Sequence, residues 1–216
     1  MKIKSCALIP FIVALITIGL IALSYVLDTN TAKHLFSEQG VFECMSPVIW
    51  IAAGLYALWH VRARGKAYLA LGLTFIALAL REWDHHKAFT SDSILKINFY
   101  QDHGFGAEQL FGGLAALAII GLIITTLVIL TRYIIARRGY QARGGQFLIA
   151  GLGMLVLSKI MDRAPAILRD NDFTLDGDFT LMLLALEEGF EFFCPVLILV
   201  GVIYKYRAEK PQTLLP

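Results

Sequence analysis

The sequence predicts an all-α integral membrane protein, a bundle of six transmembrane helices with both termini in the cytoplasm. Three observations predict this class: the composition, the alternation of apolar runs with polar joints, and the distribution of charge among the joints. Of the 216 residues, 57% are hydrophobic and only 17% are charged. Such a chain is far too apolar for an ordinary soluble domain.

Six apolar runs account for nearly the whole chain, so the sequence predicts a single transmembrane domain over residues 1–216. A helix that crosses the hydrocarbon core needs about 20 apolar residues. The first run follows Lys2 and Lys4, as in a secretory signal, but its length favours an uncleaved first span. The predicted spans are residues 7–27, 41–61, 67–82, 108–130, 145–162 and 179–204.

The charges of the joints predict the orientation. Basic residues concentrate around Arg64, around Arg138 and after Tyr204, whereas all seventeen acidic residues except Glu209 lie on the other side. Joints rich in Arg and Lys stay in the cytoplasm, so the acidic side is predicted to face outwards. A small bundle with short loops is typical of a bacterial inner membrane. We therefore expect a polar pocket that faces the periplasm or the exterior.

Glu187, Glu188 and Glu191 stand out because apolar runs flank them on both sides in the predicted sixth span. A span that began after Glu191 would be too short to cross, so Glu188 or Glu191 is expected below the outer surface. Ionisable residues at that depth usually serve a function. Three carboxylates this close cannot all be ionised in a low dielectric without cations or protons. The alternative is an amphipathic interfacial helix before a shorter, tilted span.

A second group of polar residues ends the predicted third span. If that helix continues, Glu82 faces His85 and His86, which follow three and four residues later. One carboxylate and one imidazole on the same helical face are used by carboxylate-bridged di-metal bundles. An interfacial helix end, where histidine, tryptophan and charge are expected, explains these residues equally well.

Two further carboxylates are predicted at the same depth, Glu43 at the head of the second span and Asp162 at the end of the fifth. Asp162 has Lys159 and Arg163 within one helical turn, and pairing with either is the favoured interpretation. Glu43 has no cation nearby in the sequence. We predict that Glu188 and Asp162 are catalytic, and the predicted metal ligands are Glu43, Glu82, His85, His86 and Glu191.

These residues support three hypotheses. Carboxylates and imidazoles suit Zn, Mn or Fe, so the leading one is a metal-dependent hydrolase or oxidoreductase that acts on a lipid or another membrane-held substrate. The second is a proton or cation transporter or channel that uses the intramembrane glutamates. The third is a non-catalytic subunit or scaffold whose acids pair with cations of the protein. The expected partner is the lipid bilayer. The sequence contains no basic patch interleaved with aromatic residues, so a nucleic acid is not expected as a partner.

Overall fold

The computed structural model describes residues 8–37, 40–83 and 106–208 of the chain. Every regular element within these ranges is helical. A π-helical turn and a 3-10 helix follow the sixth α-helix, over Arg132–Ala136 and Gly139–Gln141. The α-helices are α1 (Leu8–Val26), α2 (Thr29–Leu35), α3 (Val41–Trp59), α4 (Val61–Arg64), α5 (Lys66–Glu82), α6 (Ala107–Thr131), α7 (Arg143–Asp170) and α8 (Gly177–Ala208).

Four stretches of described helix are long and apolar enough to cross a membrane: α1, α3, Gln109–Ala136 and α7. Large apolar side chains stay exposed along them, such as Phe11 of α1 and Phe111 of α6. Lipid tails can cover such side chains, whereas water solvates them poorly. The predicted all-helical class is therefore confirmed for the described residues, with four candidate membrane-spanning helices. The remaining two predicted spans, α5 with 17 residues and α8 with its three glutamates, are not among the four.

The helix ends lie close to the predicted spans except at the end of α7. The sequence predicts an end at Asp162, but the helix continues through Pro165 to Asp170. Hydropathy identifies the apolar part of a helix and not its last turn, and the continuation carries three exposed charged residues, Arg163, Arg169 and Asp170. A proline inside a helix costs one backbone hydrogen bond and does not always end the helix. The predicted outer joint after Asp162 is thus partly helical.

The polar joint after α1 contains α2, a short helix that the sequence analysis does not predict. Asp28 is its N-cap, and its Oδ2 accepts a hydrogen bond from the Thr31 backbone N–H at 2.9 Å. Aspartate is one of the preferred N-cap residues because it satisfies an N–H group that has no partner within the helix. With seven residues, α2 is too short to show a hydrophobic period.

By its internal contacts the chain divides into two units, and the boundary falls inside α3. The first unit consists of Met1–Ile49 and Ile134–Glu209. It contains α1, α2, the start of α3, α7 and α8. The second unit consists of Trp50–Tyr133 and Lys210–Pro216. It contains the rest of α3 together with α4, α5 and α6.

In the first unit, α7 and α8 pack closely because glycines lie at their contact. A Cβ built on Gly144 of α7 would lie 3.0 Å from the carbonyl oxygen of Gly201 of α8. A Cβ built on Gly201 would likewise lie 3.0 Å from the carbonyl oxygen of Gly144. A Cβ on Gly151 would lie 2.7 Å from Ile198 Cγ1. Small residues let membrane helices approach at the backbone, where dispersion contacts replace the hydrophobic effect.

In the second unit, polar contacts join α5 to α6. The hydroxyl groups of Thr74 and Thr126 lie 2.7 Å apart and are buried. Each hydroxyl also reaches a carbonyl oxygen of the opposite helix, that of Leu122 from Thr74 and that of Ala70 from Thr126. Hydrogen bonds between side chains are a recurrent way to hold apolar helices together in a membrane.

Candidate functional site

The candidate site lies in the first unit and is built around Glu188 of α8. Glu187, Glu191 and Glu43 are close enough to Glu188 to repel its carboxylate, and Lys159 is close enough to attract it. We call these four glutamates and Lys159 the carboxylate cluster. The sequence predicts that the three glutamates of α8 share one region of the helix, and the structure adds Glu43 from α3 and Lys159 from α7.

Local packing of α8 buries the residues beside its glutamates and leaves Glu187 and Glu188 partly exposed. Gly189 lies against the Leu20 side chain of α1, so closely that any added Cβ would clash. The neighbouring Leu186 and Phe190 are buried, whereas Glu187 and Glu188 are partly exposed. Because residues three apart lie on the same face of a helix, Glu188 and Glu191 point in similar directions.

Pro195 explains how α3 is attached to α8 beside the cluster. Proline has no backbone N–H, so it cannot donate the helical hydrogen bond to the carbonyl of Glu191, four residues earlier. The Ser46 hydroxyl of α3 donates to that carbonyl oxygen at 3.4 Å. Phe42 and Phe192 meet edge to face beside this contact, with ring centroids 5.1 Å apart. These contacts bring Glu43, one turn before Ser46, to the cluster.

Lys159 supplies the positive charge of the cluster. Its Nζ donates to Oε1 of Glu191 and forms an ion pair between α7 and α8. The side chains of Lys159 and Glu191 are 47% and 24% exposed, so the pair lies at the edge of the helix contact and not in its core. The ammonium group neutralises part of the charge that the glutamates would carry if all were ionised.

Asp162, a predicted catalytic residue, has a cation beside it on its own helix. Its Oδ2 lies 3.7 Å from Nε of Arg163, and both side chains are exposed. This is one of the two pairings that the sequence analysis favours for Asp162. Exposed ion pairs of this kind contribute little to stability. A catalytic role for Asp162 stays a prediction.

Glu82 belongs to the second unit. Its Oε1 accepts a hydrogen bond from the buried indole N–H of Trp50 at 3.2 Å, and the Trp50 ring packs against Phe75. Its predicted partners His85 and His86 lie outside the described residues. The arrangement of Glu82 with these two histidines therefore stays a prediction.

The described residues do not form a metal site. Within residues 8–37, 40–83 and 106–208, no group of three or more His, Cys, Asp or Glu side chains is arranged to hold a metal ion. Glu191, a predicted ligand, is paired with the Lys159 ammonium, which a divalent cation would have to displace. The predicted metal set therefore depends on His85 and His86, beyond the described ranges.

Sequence reasoning did not anticipate Ser46 or Trp50, and it considered Lys159 chiefly as a partner of Asp162. A signal for the first two was present, because Glu43, Ser46 and Trp50 are spaced three and four residues apart, as on one helical face. The pairing of Lys159 with Glu191 has no such signal. The two residues are 32 positions apart, and only the packing of two helices brings them together.

Comparison of the chain with protein-family models, with curated proteins and with solved structures finds no match. The role of the carboxylate cluster is therefore inferred from its own chemistry. Three further carboxylates and the Lys159 ammonium group lie near Glu188, and carboxylates this close cannot all be ionised in a low dielectric without cations or protons. Among the described residues, the carboxylate cluster is the arrangement whose side chains are best suited to take part in chemistry.

Proposed function

We propose that the protein is a proton-coupled membrane carrier and that the carboxylate cluster is its proton-binding site. The observation that supports this function is the convergence of Glu43, Glu187 and Glu191 on Glu188, with Lys159 as the positive charge. Carboxylates inside membrane bundles are the usual elements of proton relays.

The proposal follows from the charge of the cluster. Four ionised glutamates and one ammonium group would leave a net charge of −3, that is −4 + 1, in one region of a helix bundle. Like charges at close range in a low dielectric favour protonation of at least one member. A proton held in this way can be released when the surroundings change, for example when a substrate or water reaches the site.

The proposed topology extends the four candidate spans to six, with α5 and α8 as the others and both termini in the cytoplasm. The basic residues around Arg64 and Arg138 and those after Tyr204 support this orientation. It places the cluster in the outer half of the bundle, open towards the periplasm of a bacterial inner membrane. Proton exchange would then begin on the periplasmic side.

Proton flux into vesicles tests this function. The purified protein is reconstituted into liposomes that contain a pH-sensitive dye, and a potassium diffusion potential drives protons inwards. We expect uptake above that of protein-free vesicles, and we expect Glu188→Gln to abolish it. Asp172→Asn is the matched control, because Asp172 is exposed and has a φ of 61°, which asparagine tolerates.

Two results would contradict the carrier. One is unchanged uptake in Glu188→Gln, and the other is uptake no faster than in protein-free vesicles with sodium, potassium or magnesium present in turn. The second result, with a folded protein, would favour a scaffold whose acids pair with internal cations such as Lys159. In either case the cluster would remain an interhelical contact.

The metal-dependent enzyme stays an untested alternative because His85 and His86 lie outside the described residues. The metal content of the detergent-purified protein, measured by mass spectrometry, distinguishes the enzyme hypothesis from the carrier hypothesis. Stoichiometric Zn, Mn or Fe that is lost in a folded Glu188→Ala, Glu191→Ala variant would favour the enzyme and justify a screen of lipid substrates. No metal after incubation with these ions would favour the carrier.

A further inference from the structure

A groove in the first unit lies between the first turns of α1 and of α7, far along both helices from the carboxylate cluster. Its volume is about 310 Å³, at the lower end of the range for ligand-binding pockets. Ile9 and Val13 line it from α1, and Ile149 and Ala150 line it from α7. Both helices are candidate membrane spans, so the groove is an apolar recess at the start of two membrane helices.

The mouth of the groove, at the start of α7, is lined by polar residues, and two arginines lie near these residues in the sequence. Tyr140 and Gln146 complete the lining. Arg143, Gln146 and Ala150 are spaced three and four residues apart and therefore lie along one face of α7, with the arginine at the helix end. Arg143 and Arg138 are both exposed. Towards the start of α7, the apolar lining is thus followed by the polar Gln146 and then, one turn earlier on the same helical face, by the exposed Arg143.

We propose that this groove binds one anionic phospholipid. One acyl chain lies between α1 and α7, and the phosphate group is held by Arg143 and Arg138. Guanidinium groups bind phosphate oxygens through paired hydrogen bonds, and tyrosine is enriched at the level of lipid headgroups, as Tyr140 would be here. The groove lies on the side that the sequence predicts to be cytoplasmic, and anionic lipids are abundant in that leaflet.

The positive charge of Arg138 and Arg143 favours an anionic phospholipid over a neutral apolar occupant of the groove. A hydrocarbon or a neutral lipid would gain nothing from Arg138 and Arg143, whereas an anionic headgroup gains from both. Each basic residue near a membrane surface strengthens the binding of anionic lipid several-fold. A site that combines an apolar recess for one acyl chain with two arginines therefore selects its lipid by charge as well as by shape.

Native mass spectrometry of the full-length protein, with phosphatidylglycerol or phosphatidylcholine added in detergent, tests the proposal. We expect one phosphatidylglycerol to be retained per chain and phosphatidylcholine to be retained weakly. Arg138→Gln with Arg143→Gln should weaken the retention of phosphatidylglycerol about 10- to 30-fold. Ala150→Phe, which fills the apolar part, should weaken the retention of both lipids.

The matched control is Arg62→Gln with Lys66→Gln, which removes two exposed charges from another basic joint. It should leave the retention unchanged. Equal loss in both double variants would overturn the proposal, since it would indicate general attraction of lipid to basic joints. Unchanged retention in Ala150→Phe would also overturn it. A third contrary result is binding only after deletion of residues 2–6, which would identify the amino-terminal segment as the occupant of the groove.

Discussion

At the scale of single residues, the ion pair of Lys159 with Glu191 connects the carboxylate cluster to a second helix. If Lys159 is replaced by methionine, Glu191 loses its ammonium partner while its neighbours remain acidic. We expect a loss of about 1–3 kcal/mol in the free energy of unfolding, the range for a poorly solvated polar group left without its hydrogen bond. Chemical denaturation in detergent micelles measures it.

A double-mutant cycle provides the control for this prediction. Lys159→Arg should retain most of the stability, because arginine can also pair with Glu191. Adding Glu191→Gln to Lys159→Met should restore part of the loss, since the carboxylate that paired with Lys159 is then neutral. Equal stability of Lys159→Met and the native protein would mean that the pair contributes nothing to the packing of α7 on α8.

Asp28 allows a prediction of pH dependence outside the membrane spans. Hydrogen bonds from the Thr31 side chain and backbone N–H lower the pKa of the Asp28 carboxyl below its ordinary value. Its capping contribution to α2 is therefore complete above the ordinary pKa of aspartate and is lost as the pH falls through the lowered pKa. Amide hydrogen exchange in α2 should accelerate in that acidic range.

The variant Asp28→Ala removes this dependence. Its α2 amides should exchange faster than those of the native protein at neutral pH, and the difference should shrink as the solution is acidified. Asp28→Asn keeps a capping oxygen and should stay closer to the native protein. A native protein whose α2 exchange is independent of pH, after correction for the intrinsic rate, would show that Asp28 does not cap the helix.

At the scale of helices, glycines set how closely α7 and α8 approach. A Cβ on Gly144 would lie 2.8 Å from the backbone nitrogen of Lys205, and a backbone atom cannot move aside as a side chain can. We expect Gly144→Ala to cost about 1–3 kcal/mol in the free energy of unfolding, the usual cost of overpacking. Thermal unfolding in detergent measures the effect.

The same helix offers a matched control. A Cβ on Gly153 meets nothing within 4 Å, so Gly153→Ala should be neutral or should stabilise the protein by up to about 1 kcal/mol through helix propensity. Equal destabilisation by the two alanines would contradict this account, because Gly153 has no neighbour that an added Cβ would meet.

The helices themselves were largely predictable, because a span that crosses a membrane is a run of about 20 apolar residues. The turns of α7 beyond Asp162 were missed because Arg163, Pro165, Arg169 and Asp170 interrupt the apolar run there. Helix α2 was missed because seven residues give no period, although Asp28 carried the signal of a cap.

The candidate site was predictable only in part. The apolar runs around Glu188 and Glu191 predict that these residues lie below the outer surface of the membrane. Which cation pairs with them depends on the packing of α7 on α8, which local patterns do not encode. The same holds for the bond between Trp50 and Glu82, whose residues are distant in the sequence.

At the scale of the whole molecule, the proposed six-span topology makes a prediction about sidedness. Fusions of green fluorescent protein after Arg64 and after Arg138 should fluoresce, because that protein folds in the cytoplasm. Fusions of alkaline phosphatase after Asp172 should be active, because that enzyme needs the oxidising side of the membrane. The reverse pattern would place the carboxylate cluster on the cytoplasmic side and contradict the proposed orientation.

The most direct test of the proposal that the carboxylate cluster binds a proton is infrared spectroscopy of the purified protein in light and heavy water. A protonated carboxyl group has a carbonyl stretching band that an ionised one lacks, and deuteration shifts that band. At neutral pH we expect the native protein and Asp172→Asn to show the band, and we expect it to be lost in Glu188→Gln. A native protein without the band, or a band of full intensity in Glu188→Gln, would contradict a proton held at Glu188.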